Sequence, residues 1–529
     1  MAEIIIREAV SNDAESISGL FHEVYGDDYP YKKFYDPEQI RKLIYADDTV
    51  MIVAEDPESG RIYGTASVLE ERGAYSDLTA EFGRLVVHPD ARGMGLGNKL
   101  MEGRVEHVKD RIHVGVVDAR IVHPRSTKIA VSHDFSVVGY LPSKIVNVNR
   151  ENIILLARHF GPALELRRNH PHIIPEAWQL ANQSMKNCGI HPYAIVDETA
   201  PPYPAGADLT MSTMTSEGYA DLLRIARGRT RHRQIFGALR LHYGVFKLQA
   251  TDSHYILAKQ GDVLVGAIGY TVDHVENDAR IFELIALNDD VIYPLLSEFL
   301  RIAESELGSC YVDINVSAYA PRMQRTLLEL GFLPAAYIPA MVFNEVERLD
   351  ILKMVRIFVP LDTSQDILIP EAEPIGDIVV RSFASQTVPS RILEAINRQD
   401  IFDGLNLEQL RRLASYCTVD RFKQGDVLFS EGNESDAFYI ILDGTVEEMS
   451  SGTARAHSSE GDTVASISTL AQSIHRTTSV ALTDLTLITI MRNDFESLAR
   501  LRPDIGTVIY RNLTRQLGEE LLTLSMLNR

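Results

Sequence analysis

Residues 84–100 read RLVVHPDARGMGLGNKL: an apolar run stops at His88-Pro89, then Gly93, Gly95 and Gly97 fall on alternate positions ahead of a helix-forming segment. A glycine-rich turn between a strand and a helix N-terminus lets backbone N–H groups approach an anion. No Cβ intervenes, and the first helical amides have no internal partners. Arg92, entering the turn, adds a charge-assisted fork. The segment Arg92-Gly93-Met94-Gly95-Leu96-Gly97 is therefore equipped to cradle a pyrophosphate. It is not a Walker A loop, since no Gly-Lys-Ser/Thr follows, and its glycine spacing departs from the dinucleotide fingerprint. As a tight turn and nothing more, it would weaken the following helix by about 1 kcal/mol per glycine for no local return.

The elements that must hold this turn are legible around it. EIIIREA, TVMIVAED and IYGTASVLE read as strands and DAESISGLFHEVY as an amphipathic helix, so residues 1–148 alternate strand and helix signals and form an α+β (α/β) domain. Residues 149–208 read as a linker or helical connector ending in the turn-rich DETAPPYPAGAD. From 209 to 362 the pattern starts again. SHYILAKQGDVLVGAIGYTV, a hairpin turning at Gln260-Gly261, answers TVMIVAEDPESGRIYGTASVL. HDFSVVGYLPSKIV (133–146) answers LGFLPAAYIPAMVF (330–343), with Phe135, Tyr140 and Pro142 in step with Phe332, Tyr337 and Pro339. Aligning Gly64 with Gly266 gives nearly the same offset, the mark of an internal duplication with a period of about 200 residues. After a linker at 363–394, residues 395–529 change character: FKQGDVLFSEGNESDAFYIILDGTVEEM is a series of short strands punctuated by Gly425, Gly432 and Gly444, the pattern of a small β-roll with flanking helices.

Composition bounds the function. With 45% apolar and 24% charged residues over 529 positions, the chain is a folded multidomain protein. Its net charge of −21 repels a phosphate backbone, so no nucleic-acid partner is expected, and a basic partner such as a protein lysine is favoured. No apolar run approaches the roughly 20 residues of a membrane span, and the N-terminus lacks a signal-peptide core, so a cytoplasmic protein with no membrane partner is expected. Cys188, Cys310 and Cys417 lack paired spacing, which predicts reduced thiols and no structural metal.

RLVVHPDARGMGLGNKLM resembles the acyl-CoA motif of the GNAT acyltransferase superfamily, Arg/Gln-x-x-Gly-x-Gly/Ala after a strand ending near His-Pro. The resemblance implies acetyl-CoA or another acyl-CoA as cofactor, with main-chain groups of Leu85, Val86 and Val87 on the pantetheine arm. The amides of Arg92, Gly93, Met94, Gly95, Leu96, Gly97 and Asn98 would hold the pyrophosphate. It implies direct attack of an amine on the thioester, with Glu81 in the position of the family's base. The family's acid, a tyrosine shortly before Gly-Phe, meets a departure here. Ala130 stands at the tyrosine position and Asp134 at the glycine, leaving Ser132, His133 or Tyr140 as substitutes, with Tyr140 taken as the candidate. The second unit has Asp289-Asp290 and no glycine pair at the corresponding turn, and resembles a GNAT fold that has lost its cofactor and walls the acceptor cleft of the first.

The segment from 400 to 529 resembles a cyclic-nucleotide-binding domain. In that family a short helix holds the cyclic phosphate, a glutamate binds the ribose 2′-OH and an arginine pairs with the phosphate. The matching positions are Ala465, Ser466 and Ile467 on the helix, and Arg476 with Thr477 beyond it. Glycine has become Ala465 and glutamate has become Ser466; loss of that carboxylate removes on the order of 1.5–3 kcal/mol of binding. In parts list the chain resembles the bacterial protein lysine acetyltransferases controlled by cyclic AMP, with the order reversed and a GNAT-like unit added. The expectation is an acyl-CoA-dependent N-acyltransferase regulated by its C-terminal domain, for which cAMP as effector and a degenerate domain used for docking or dimerisation are the two readings. A non-catalytic acyl-CoA sensor and a small-molecule N-acetyltransferase stand as alternatives, and the oligomeric state is left open.

Overall fold

The computed structural model describes residues 3–70, 77–146, 150–206, 208–214, 234–236, 251–384, 390–414, 416–450 and 453–527. The chain forms two compact units, 1–380 and 381–529.

The first unit is organised by one large sheet. Its first half contributes β1 (Ile5–Glu8), β2 (Thr49–Glu55), β3 (Ile62–Glu70), β4 (Thr79–Val87), β5 (Val114–Arg120), β6 (Ser136–Val146) and β7 (Arg150–His159). Its helices are α1 (Ala14–Tyr25), α2 (Pro37–Ile44), α3 (Leu96–Val108) and α4 (Arg125–Ser132). After the small pair β8 (His172–Ile173) and β9 (Ile195–Val196), flanking α5 (Pro175–Asn187), the second half adds β10 (Thr210–Thr213), β11 (Ile235–Phe236), β12 (Thr251–Gln260), β13 (Val263–Asp273), β14 (Asp278–Ala286), β15 (Tyr311–Ser317), β16 (Leu333–Asn344) and β17 (Glu347–Ile357). Its helices are α6 (Ile292–Ser305) and α7 (Pro321–Glu329). The strand order β1-β2-β3-β4-β5-β7-β6-β16-β17-β15-β14-β13-β12-β10 is a palindrome of equivalent strands about the β6–β16 junction.

The duplication is thus a pseudo-twofold, and its axis is visible in the register. The junction is the single pair Gly139↔Ala336, residues related by the same offset of 197 that links Phe135 to Phe332. The irregularities repeat with it: β6 shifts register at Val137/Gly139 and Leu141/Ile145, β16 at Pro334/Ala336 and Ile338/Val342. Ser143 and Ala340 both take positive φ at matching points.

Two segments read as connectors are more structured than expected. Within 149–208 lies β7, which pairs on both edges, with β5 and β6, so the first sheet runs past residue 148. Its stretch Glu151-Asn-Ile-Ile-Leu-Leu-Ala is buried throughout, as a strand covered on both faces must be. Within 363–394, α8 spans Glu373–Ala384.

The second unit packs two four-stranded antiparallel sheets, one centred on Ala437–Asp443 and Leu485–Met491, the other on Val446–Ser450 and Thr478–Ala481. Helices Leu407–Ala414, Arg492–Leu501 and Pro503–Leu527 close over Phe438, Ile440, Ile488 and Ile490. The three cysteines are free and half-buried. No helix among the described residues is long and apolar enough to cross a membrane.

Candidate active site

The glycine-rich turn leaves β4 at His88, whose Nδ1 accepts from the Asp90 N–H (3.1 Å) and whose main-chain N–H donates to the Tyr63 carbonyl (2.8 Å). Gly93 (φ +85°) and Gly95 (φ +74°) occupy the left-handed region, and a Cβ on either would stand in open space. Gly97 serves packing instead. A Cβ there would lie 2.7 Å from Ile129 Cδ1, so its absence lets α3 close on α4. The N–H groups of Gly93, Gly95, Leu96 and Gly97 have no hydrogen-bond partner among the described residues, and Arg92 to Gly95 are exposed. The other expected donors are turned inward, Arg92 to Pro89 (3.2 Å), Met94 to Ala91 (3.4 Å) and Asn98 to Gly95 (3.1 Å). Four outward amides at the start of a 13-residue helix fit a diphosphate.

A path leads from this cradle into the sheet. β4 pairs with β3 on one edge, but with β5 on the other only through Thr79↔Val114, Ala80↔Gly115 and Glu81↔Val116. β5 then continues along β7 to Arg120, so beyond Glu81 the two strands part and the β4 edge bearing Leu85, Val86 and Val87 borders an open split. A bulge at Arg84 (φ +54°) begins the divergence. Arg104 of α3, only 2% exposed, holds β4 to β3 at this bulge by donating Nη1 to the Gly83 (3.0 Å) and Ser67 (3.3 Å) carbonyls.

Glu81 stands at the apex of the split, paired with Arg84 at 3.0 Å. The register puts Val116, Asp118 and Arg120 on its face of the sheet. That face is covered by α1 and α2, with Met51, Val53 and Val86 packed beneath them. Charges at Glu81, Arg84 and Glu276 all act on Tyr29, in the loop after α1. Tyr31, in the same loop, donates its hydroxyl to Glu276 (2.8 Å), tying the loop to the β13–β14 turn of the second half. Sequence reasoning assigned no role to Arg84, although it opens the glycine-turn stretch, and missed Arg104, Asp118, Tyr29, Tyr31 and Glu276, none of which lies in a recognisable motif.

The structure does not bring Tyr140 to Glu81. Tyr140 pairs with Ile154, which pairs with Ala119, so it lies on the face opposite Asp118, three strands and roughly 14 Å across the sheet from β4. It is fully buried and donates its hydroxyl to Asp366 (2.6 Å); burial and that carboxylate push it well above the usual phenol range. Its repeat partner Tyr337 makes the same kind of bond, to Asp350 (2.5 Å). Ala130 is buried, Asp134 keeps the positive φ (+61°) expected of a glycine, and the Ser132 hydroxyl is engaged by Asn98 and Ile129. His133 caps the C-terminus of α4, and burial lowers its pKa. A cavity of about 410 Å³ beside Asp366, lined by Ser143, Arg150, Asn152 and Asp362, includes neither Glu81 nor the glycine turn.

The second half shows what an equivalent site without cofactor looks like. The offset of 197 carries Val116 to Asp313, whose partner on β14 is Arg280, so an arginine stands where Glu81 stands. Asp313 accepts from Arg280 (2.8 Å) and Lys353 (2.7 Å), closing the position as an ion cluster. The corresponding split is filled. β14 leaves β15 after Ile281↔Ile314, and β11 takes over the same edge, pairing Phe236↔Asn315 and Ile235↔Val316. Ile235 and Phe236 are 3% and 2% exposed. Asp289 at the turn is paired with Arg322 (2.7 Å).

In the second unit, Ala465 takes φ +63° at the cap of helix Ser466–Leu470. The first amides of that helix, at Ser466 and Ile467, face outward, and Arg476 is exposed with no partner among the described residues. These groups fit a cyclic phosphate. The ribose acceptor is absent at Ser466, and the Thr477 hydroxyl is already donated to Glu448 (2.8 Å). Because an alanine in the left-handed region costs roughly 1–2 kcal/mol, Ala465→Gly is expected to stabilise the second unit by about 1 kcal/mol. Slower amide exchange in the strands 437–443 and 485–491 of the full chain would register this; no change would mean the turn carries no strain.

Two family models match the segments that contain these residues. A family model described as an acetyltransferase (GNAT) domain matches residues 47–132, which include the split, Glu81 and the glycine turn, and one described as a cyclic nucleotide-binding domain matches 419–501. The cGMP-dependent 3′,5′-cGMP phosphodiesterase A of Dictyostelium discoideum is 27% identical over 122 residues, 23% of this chain and 14% of its own length. Lysophospholipase nte1 of Neurospora crassa is 34% identical over 86 residues, 15% of this chain and 6% of its own. The chain thus spans a small part of both relatives. Among solved structures, the catabolite activator protein of Thermus thermophilus is 27% identical over 25% of this chain and 63% of its own, with a TM-score of 0.23. The N-terminal domain of a transcriptional regulator from Streptomyces coelicolor is 24% identical over 24% and 93%, with a TM-score of 0.23. The chain therefore carries an acetyltransferase (GNAT) domain and, after it, a cyclic nucleotide-binding domain.

Proposed function

We propose that the protein transfers an acyl group, acetyl in the first instance, from acyl-CoA to a primary amine such as a protein lysine, under control of a cyclic nucleotide. The observation that carries this reading is the open split between β4 and β5, running from four outward amides at residues 93–97 to the carboxylate of Glu81. Acyl-CoA supplies an activated thioester. The amides of Gly93, Gly95, Leu96 and Gly97 hold its diphosphate, and the β4 main chain at Leu85–Val87 orients its arm. Glu81 takes the proton of the incoming ammonium, with Arg84 fixing its carboxylate. Tyr140 faces the other side of the sheet, so the departing sulfur takes its proton from solvent. In the second unit the amides of Ser466 and Ile467 and the Arg476 guanidinium hold the cyclic phosphate.

Glu81→Gln keeps the shape and removes the base. It is expected to lower kcat at least 100-fold while leaving the acetyl-CoA Kd within threefold, the range general-base loss commonly produces. Free CoA release with acetyl-CoA and poly-L-lysine, and calorimetry for binding, measure the two. Equal turnover in the variant would remove Glu81 from the mechanism. An acetylation rate indifferent to cAMP across its binding range would remove the regulatory half of the proposal.

A further inference from the structure

Asp118 is an acid at the open end of the split. It lies on β5 two residues beyond the last β4–β5 pair, Glu81↔Val116, on the face that Glu81 shares. β4 has left at that point, so among the described residues no strand pairs with the β5 edge beside Asp118, while its other edge is paired to Leu155. The carboxylate makes no hydrogen bond or ion pair with the described residues and is exposed to solvent. It is nevertheless set deep among protein atoms: the charged and titratable groups that act on it come from four further strands, Glu81 on β4, Lys144 on β6, Arg280 on β14 and Lys353 on β17, and it acts in turn on Tyr311 of β15. An acid both deep and wet lines a cleft. The second half supplies an internal control, because there the equivalent residue is Asn315 and β11 is paired directly onto it, closing the edge. The carboxylate and the opening occur together in the first half and are lost together in the second.

We propose that Asp118 is the acceptor-binding residue of the N-acyltransferase site, holding the ammonium of a primary alkylamine between its own carboxylate and that of Glu81. This rests on the acyltransferase reading and specifies its substrate as a cationic alkylammonium. One ammonium proton passes to Glu81 and the freed nitrogen lone pair forms the N–C bond to the acyl carbon. The C–S bond breaks with its electron pair on sulfur, and the second surplus proton, from the new amide nitrogen, reaches that thiolate through water. The products are the amide, free CoA and one proton returned by Glu81 to solvent. Burial and the neighbouring Glu81 charge raise the Asp118 pKa, so acceptor binding weakens on acidification at a higher pH than an ordinary aspartate would impose.

The test uses the full chain with acetyl-CoA as donor and poly-L-lysine or spermidine as acceptor. Asp118→Asn is expected to raise the acceptor KM at least tenfold with kcat within threefold and the acetyl-CoA Kd unchanged. Asp118→Glu should restore most of the lost affinity, which a purely structural role would not allow. A KM within twofold of wild type in Asp118→Asn overturns the assignment while leaving the acyltransferase reading intact. Binding of acetyl-CoA without transfer to either amine overturns the commitment to alkylammonium acceptors. Failure of the wild-type chain to bind acetyl-CoA at all removes the parent reading and this one with it.

Discussion

Gly95→Val is expected to weaken acetyl-CoA binding by about 100-fold or more, with only a small loss of fold stability. Gly95 caps α3 at φ +74°, and its carbonyl accepts from both Asn98 (3.1 Å) and Lys99 (3.2 Å). A β-branched residue in the left-handed region costs at least the roughly 1–2 kcal/mol of any L-residue, and the chain relieves that strain by rotating the cap. Rotation re-aims the N–H groups of Gly95, Leu96 and Gly97, three of the four free donors. The added side chain would meet no protein atom within 4 Å of its Cβ, so its bulk falls in the space left for the ligand. Loss of two or three charge-assisted hydrogen bonds suffices for 100-fold, about 2.7 kcal/mol. Gly97→Ala makes the contrast: its Cβ collides with Ile129, so it should loosen the α3–α4 packing and affect stability first. Calorimetric titration of the full-length variants separates the two; a Gly95→Val chain that binds acetyl-CoA within threefold of wild type would show that the turn does not hold the diphosphate.

That turn was legible because everything it needs is local: a strand, three glycines at fixed spacing and a helix start lie within 17 residues. The duplication was legible from Phe135, Tyr140 and Pro142 and their repeats, but the way the halves meet was not, since the Gly139↔Ala336 pair joins residues far apart in sequence. The strand β7 left a signal that composition obscured: its unbroken apolar run IILLA marks a strand buried on both faces, whereas the prolines that follow suggest a connector. Tyr140 illustrates a different limit. A tyrosine kept at the same place in a half with a cofactor path and a half without one is serving what the halves share, and in both it donates to a carboxylate, the half-buried Asp366 or the buried Asp350. Asp118 offered only an acid breaking the alternation of a strand, VGVVDAR, and its meaning depends on where β4 departs. The plug β11 is two residues long, too short for any periodicity to announce.

Gly139→Val is expected to be the most destabilising single substitution in the first unit. Even a methyl group at this position would sit 2.2 Å from Ala336 Cβ, 2.8 Å from Ala336 Cα and 2.9 Å from the Ala335 carbonyl oxygen. Two of these three contacts are main chain, so no rotamer change relieves them, and the partner strand must move. That strand is held in place from behind: Asp350 accepts from Tyr337 and from the Ala340 N–H (2.9 Å), and Arg167 fixes Asp350 in turn (2.7 Å). Ser184 of α5 also donates to the Tyr337 carbonyl (2.5 Å). Overpacking a seam that cannot yield costs on the order of 3 kcal/mol or more, above the usual range for enlarging a core residue. The chain's single tryptophan, Trp178, sits on α5, which packs across both β6 and β16, so its fluorescence follows the seam itself. Denaturant titration should show that signal lost at a markedly lower midpoint in Gly139→Val, and Ala336→Gly placed on top of it should recover part of the loss by removing the nearest atom. An unchanged midpoint would mean the halves are not joined through this pair. Because the second half ties down the loop after α1 through Tyr31 and Glu276, a parted seam should also raise the acceptor KM while the acetyl-CoA turn, built wholly within the first half, keeps its affinity.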